Sequence, residues 1–210
     1  GGTTTILNML SGLSEYTDVE PVKRRGLVPT TRVADTAIAT VTDAYAEADA
    51  SIQVNVEDAL LHASEVSLAR VVTEVLQNSL QFSGSSPASV RIEGRVLERT
   101  NEYKFEITDK GVGLPPGSEG AVFDLLQKAD VHAEGPPPTE GTGFGLAVVR
   151  RIMQLHEGTV WATSDGLHQG CTIHLVLPIA HDPKTHTSGG RQPWGRGTSQ
   201  EGLTSDHGEG

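Results

Sequence analysis

The sequence predicts an α/β fold: a two-layer α/β sandwich with a mixed, mostly antiparallel sheet and helices on one face. Segments 90–97 and 103–108 alternate apolar and polar residues with period two, as half-buried strands do. Segments 65–82 and 144–156 repeat apolar residues with helical period. The order helix, strand, strand, loops, helix, strand, strand suits such a sheet better than a doubly wound parallel one.

In order along the chain, Ile6 to Glu15 has the apolar spacing of a short helix end (Ile6, Leu7, Leu10, Leu13). A polar stretch, Thr17 to Pro29, holds the basic cluster Lys23-Arg24-Arg25. Thr30 or Thr31 is placed to cap a helix from about Arg32 to Ala48, with Val33, Ala37, Val41 and Ala44 on one face. Ile52, Val54 and Val56 alternate like a strand. On the helix from Glu65 to Phe82, Leu68, Val72, Val75, Leu76 and Ser79 form the apolar face; Ser67, Arg70, Glu74, Asn78 and Gln81 line the opposite one. Strands Val90–Leu97 and Tyr103–Thr108 join through Arg99-Thr100-Asn101. Glycine-rich loops, a helix from about Phe144 to His156 and a hairpin, 159–163 with 171–177, end the folded part at Pro178.

The 210 residues carry 16 Lys+Arg against 27 Asp+Glu, a net charge of −11, which argues against a nucleic-acid backbone or an anionic membrane as the main partner. One cysteine, Cys171, excludes a disulfide framework and fits a reducing compartment. No apolar run is long enough to span a bilayer, and no internal repeat is visible. The start at Gly1, without methionine or signal peptide, reads as a portion of a longer chain. From His181 to Gly210 only Trp194 and Leu203 are large and apolar, so this stretch is expected to be a disordered tail.

Three motifs carry chemistry. Gly141-Thr142-Gly143-Phe144-Gly145-Leu146 lies just before a helix, where glycines admit a ligand to the backbone and free N–H groups meet phosphate oxygens; a flexible connection is the alternative reading. Its spacing is not a dinucleotide fingerprint, and no P-loop occurs. Asp109-Lys-Gly111-Val-Gly113 ends a strand, either as a turn or as a carboxylate accepting from an exocyclic amine beside room for a purine. Glu74 and Asn78, four apart on one helix face, are either a solvated stripe or a pair of oxygen donors for Mg2+.

Their order and spacing resemble the catalytic, ATP-binding domain of sensor histidine kinases, in the superfamily shared with gyrase, Hsp90 and MutL. The asparagine box is Leu68-Ala-Arg-Val-Val-Thr-Glu74-Val-Leu-Gln-Asn78-Ser-Leu-Gln-Phe82-Ser, similar to the family's LxxVLxNLLxNAxKYT. The first glycine box starts at Asp109, and Val122-Phe123-Asp124-Leu-Leu-Gln-Lys128-Ala-Asp130 resembles IFEPFYRAD. The second glycine box runs from Gly141 into the helix to His156, and Gly170-Cys-Thr172 through Pro178 resembles GTxFxxxLP.

The resemblance implies a Bergerat-type ATP-binding fold over 21–180, preceded over 1–20 by a remnant of the dimerisation helix and followed by the tail over 181–210. It implies Mg2+ on Asn78 with Glu74, adenine on Asp109 through a bridging water supported by Thr172, and Phe82 against the base. Gly111 and Gly113 would make room for the base. Gly141, Thr142, Gly143, Phe144, Gly145 and Leu146 would meet the phosphates from a lid over about 125–143, with Lys128 reaching the terminal phosphate.

The implied activity is transfer of the γ-phosphoryl of ATP to a histidine on a dimerisation hairpin in a homodimeric parent, then to a response regulator. The compartment implied is the cytoplasm, with membrane anchoring left to the parent chain. All eight histidines lie downstream of the hairpin remnant, so the chain alone is expected to bind nucleotide without autophosphorylating, and His156 and His174 read as structural. Glu74 stands where the family has a second asparagine, Gln81 replaces a phosphate-facing lysine, and no Lys or Arg occurs between Lys128 and Arg150. These departures keep two alternatives open: a degenerate nucleotide-binding scaffold, or an ATPase or serine kinase using Glu74 as general base.

Overall fold

The computed structural model describes Ser14 and residues 25–45, 50–83, 87–124 and 143–180. The expected hairpin remnant, Ser14 apart, and the expected tail lie outside the described residues. In chain order come strand β1 (Gly26–Pro29), helix α1 (Thr30–Ala44), strands β2 (Ala50–Val56) and β3 (Leu60–Ala63), and helix α2 (Glu65–Gln81). Strands β4 (Ala88–Leu97) and β5 (Glu102–Asp109) follow, then a 3-10 turn (Ala121–Phe123), helix α3 (Gly145–Leu155), and strands β6 (Thr159–Thr163) and β7 (Cys171–Pro178).

The main sheet has five strands in the order β2-β4-β5-β7-β6. β2 runs parallel to β4 and the other neighbours are antiparallel. Period-two alternation sorts β4 and β5 cleanly, while β7 also buries His174 and Val176 on its other face. Val90, Ile92 and Gly94 on β4, Tyr103, Phe105 and Ile107 on β5, and Ile173, Leu175 and Leu177 on β7 are buried on one face. Register sets them side by side: Ile92 opposes Ile107, which opposes Ile173, and Gly94 opposes Phe105, which opposes Leu175. A Cβ on Gly94 would sit 2.3 Å from the Tyr103 hydroxyl, so the diagonal neighbour dictates glycine there. Burial pushes that phenol up to about 12.

Helix α2 supplies the other wall of the core. Ser64 caps it by accepting from the Ser67 amide, and Leu68, Val71, Val72, Val75, Leu76 and Ser79 are buried. Helix α1 starts two residues earlier than expected, and its N-cap is Pro29 with no side-chain cap. Neither threonine caps it. Thr30 is the first helical residue; its hydroxyl donates to the Glu57 carbonyl and accepts from the Ala59 amide, so it is committed to the β2–β3 connection. Thr31 donates to Asp58. Ala44, expected on the buried face, is exposed, and Ala34 is buried instead.

A second sheet pairs β1 with β3, antiparallel, with Val28 opposite Leu61 and both buried. The sequence reading placed no strand in either segment, because four residues are too few to establish a period.

His156 joins α3 to the start of α2. Its Nδ1–H donates to the Ile152 carbonyl at 2.8 Å, and its Nε2 accepts from the Ser64 amide at 3.1 Å. Burial holds its pKa below the ordinary histidine value, and the Arg25 charge adds to that. A histidine depressed on folding contributes stability that is complete above the unfolded pKa, about 6.5, and drains away as pH falls below it. Urea unfolding midpoints should therefore drop between pH 7.5 and pH 5.5, and His156→Asn should flatten that dependence. An unchanged slope in the variant would remove His156 as its source.

Candidate functional site

The candidate residues lie where α2, the end of β5 and the start of α3 meet. Glu74 and Asn78 share one face of α2, both half-buried. The Asn78 amide nitrogen donates to the Glu74 carbonyl at 2.9 Å. Arg70, one turn earlier, places Nε 3.5 Å from Glu74 Oε1.

Opposite this pair stands the first residue of α3. A Cβ on Gly145 would lie 2.8 Å from Glu74 Oε2 and 3.4 Å from the Asn78 side-chain nitrogen. Phe144, the N-cap, has no side-chain cap, and the first turn contains no acidic residue. Its amides therefore meet no carboxylate from their own turn, the arrangement that receives anions.

The second half of the site is built on Asp109, the last residue of β5 and 8 % exposed. Its Oδ1 accepts from the Gly111 amide at 2.9 Å and from the Cys171 amide at 3.2 Å. Burial raises its pKa above the ordinary aspartate value, opposed by those two bonds and by one from the Ser79 hydroxyl.

The glycines after it are held by protein. A Cβ on Gly111 would fall 2.2 Å from the Phe82 carbonyl, and one on Gly113, at φ +68°, 2.1 Å from the Gly166 carbonyl. Phe82, half-buried at the end of α2, accepts from the Val112 amide at 2.9 Å. The Gly111–Gly113 turn is thus sewn between α2 and the β6–β7 loop. Ser164 fastens that loop, donating to the Gly170 carbonyl and accepting from the Leu114 amide.

Thr172 does not stand beside Asp109. Register pairs Asp109 with Cys171 and Thr108 with Thr172, and the two threonine hydroxyls bond at 2.9 Å. Alternation puts that pair on the face of the sheet away from Ile107, Asp109 and the helices. The expected support of an adenine-bound water by Thr172 is corrected on that ground. The side chain at the expected place is Cys171, whose thiol burial pushes up to about 12, with the Asp109 and Glu119 charges contributing. A thiol so protonated is a poor nucleophile at neutral pH.

Lys128, Gly141 and Thr142 lie outside the described residues. Gly143 takes φ +72°, Phe144 is buried and Leu146 is half-buried. The sequence reading missed Arg70 as a partner of Glu74, although the spacing of four was visible. It also missed Ser79, which it counted as apolar face, and the Arg150–Asp124 ion pair at 2.8 Å. Among the described residues no cluster of three or more His, Cys, Asp or Glu could hold a metal. The fit for Mg2+ is therefore one or two hard oxygens, Asn78 Oδ1 and the Glu74 carboxylate, with the rest from phosphate and water. Mg2+ characteristically binds in that way.

A mixed sheet layered with helices has an amide–carboxylate pair, a helix N-terminus and a buried aspartate on one side, which makes the domain an α/β sandwich. Residues 63–181 match the family described as histidine kinase-, DNA gyrase B-, and HSP90-like ATPase. The chain belongs to that family, and the part it carries is an ATP-binding catalytic domain of the sensor histidine kinase type.

Curated relatives agree. The phytochrome-like protein Cph1 of Synechocystis is 28% identical over 149 residues, 71% of this chain and 19% of Cph1. The adaptive-response sensory kinase SasA of Prochlorococcus marinus is 31% identical over 118 residues, 56% of this chain and 30% of SasA. The chain thus spans less than a third of the length of either relative. The mycobacterial sensor histidine kinase MprB shares the fold at TM-score 0.64 and 24% identity, covering 74% of this chain and 98% of that one. ShkA, solved in complex with AMPPNP, shares it at TM-score 0.66 and 18% identity, over 84% of this chain and 36% of that one.

Asp109→Asn should weaken ATP and ADP binding by about ten- to hundredfold, the worth of a charged acceptor in a closed site. Isothermal titration calorimetry reads this directly, and affinity unchanged by the substitution would remove Asp109 from the site.

Proposed function

We propose that this domain binds Mg-ATP and donates the γ-phosphoryl group to a histidine on a dimerisation hairpin, from which it passes to a response regulator aspartate. The observation that carries this is the approach of Gly145 to Glu74 and Asn78. It sets the start of a helix against the Glu74 carboxylate and the Asn78 side-chain amide, on the side of the sheet where Asp109 is buried.

In this reading Asp109 accepts from the adenine amino group, and the Gly111 and Cys171 amides hold its carboxylate in one orientation. Phe82 lies beside the base. The amides that open α3, with Gly143, Phe144, Gly145 and Leu146, receive phosphate oxygens, joined by Gly141, Thr142 and Lys128. Asn78 and Glu74 are the residues that would hold Mg2+, which supplies neutralisation of the phosphate charge when bound. In the same reading Glu74 is the general base that takes the proton from an attacking imidazole.

Phosphoryl transfer is dominated by positioning and electrostatic stabilisation. With no Lys or Arg between Lys128 and Arg150, that work would fall to the backbone amides and Lys128, with charge neutralisation from Mg2+ when bound. The parent protein is read as a homodimer acting in the cytoplasm; no described helix is long and apolar enough to cross a membrane.

Affinity for ATP should fall at least about tenfold when Mg2+ is chelated, and Asn78→Ala should bring the Mg2+ value close to the metal-free one. Incubation with a hairpin carrying a phosphoacceptor histidine should give an acid-labile phosphohistidine. Equal affinity with and without metal, in wild type and in Asn78→Ala, would overturn the assignment of the phosphate end. Nucleotide binding without transfer to any such hairpin would favour the scaffold reading.

A further inference from the structure

We propose that Arg70 is a positioning residue for the nucleotide, acting through Glu74: its guanidinium offsets the negative charge that the phosphate end of the cleft would otherwise turn on a triphosphate. This rests on the nucleotide-site reading above. Three observations lead to it. Arg70 Nε stands 3.5 Å from Glu74 Oε1, and the two side chains are only 34% and 21% exposed. The other carboxylate oxygen, Oε2, faces the start of α3, where a Cβ on Gly145 would come within 2.8 Å of it. And the chain has no Lys or Arg from 129 to 149.

A carboxylate at the mouth of an anion site opposes the ligand the site exists to hold. Two like charges a few ångströms apart in a partly desolvated cleft repel far more than in water. The cost has to be offset by a cation on the protein or by one that arrives with the ligand. Among the described residues, Arg70 is a cation that the structure sets against Glu74. It reaches Glu74 from one turn earlier on the same helix. A metal bound beside Glu74 would satisfy the same carboxylate, so the need for Arg70 is greatest when nucleotide comes without metal. The pair therefore sets how strongly binding depends on Mg2+.

A bland ion pair on a helix would contribute to stability alone. A double-mutant cycle on nucleotide affinity separates the two. ATP dissociation constants are measured by calorimetry for wild type, R70M, E74Q and R70M/E74Q, each with Mg2+ and with a chelator, and circular dichroism checks that each is folded. R70M should weaken metal-free ATP binding about three- to tenfold, and clearly less with Mg2+. In the E74Q background the same substitution should change affinity less than about twofold. R70K, which keeps the charge, should recover most of the loss.

No loss in R70M, or an equal loss with and without E74Q, would overturn the role assigned to Arg70. Either result leaves the nucleotide site standing. Failure of the wild-type protein to bind ATP with Mg2+ would instead overturn the reading on which the proposal rests.

Discussion

The buried carboxylate of Asp109 fixes the geometry on which the rest of the site depends. It gathers three parts of the chain: the Gly111 amide of the following turn, the Cys171 amide at the start of β7, and the Ser79 hydroxyl of α2. Removing a carboxylate from water is expensive unless its lone pairs are met by donors. Here the donors are mostly backbone, so the segments carrying them are held as close to Asp109 as covalent geometry permits. Gly170, whose Cβ would strike the Asp109 carbonyl at 2.2 Å, and Gly111, pressed on Phe82, follow from that closeness. Burial still raises the Asp109 pKa, so three bonds do not fully offset desolvation. A carboxylate under this tension gains from one more donor, and an exocyclic amine is one.

The end of the site at the start of α3 is built on a different principle. There the Glu74 charge is half-buried and paired with Arg70, beside the Asn78 amide and Gly145. Since α2 carries both Ser79 and the Glu74–Asn78 pair, it is the rigid link between the two ends. Its core face, from Leu68 to Leu76, is among the best buried surfaces of the domain. His156 holds its first turn from the side of α3, so packing, capping and site geometry depend on the same helix.

Much of this was legible in the sequence. Strands β4 and β5 and helices α2 and α3 each bury one face, so hydrophobic period reports them nearly to the residue. Strands β1 and β3 were not legible, because four residues bury too little to leave a pattern. The cap of α1 was misread because a threonine before a helix is normally a cap, whereas Thr30 is bonded to a connection 27 residues away. Resemblance placed Thr172 near the adenine. Only strand register could show that Asp109 faces Cys171 and that Thr172 turns to the other side. The i, i+4 spacing of Arg70 and Glu74 was visible from the start, but its meaning required knowing what Glu74 faces.

That one ligand bridges both ends can be tested by amide chemical-shift perturbation on the labelled domain during titration with Mg-ATP. The Gly111 and Cys171 amides at one end, and the Gly145 and Leu146 amides at the other, should shift together with a single dissociation constant. Adenosine alone should move only the first pair. Shifts confined to one end, or two ends titrating with different constants, would contradict a single nucleotide site.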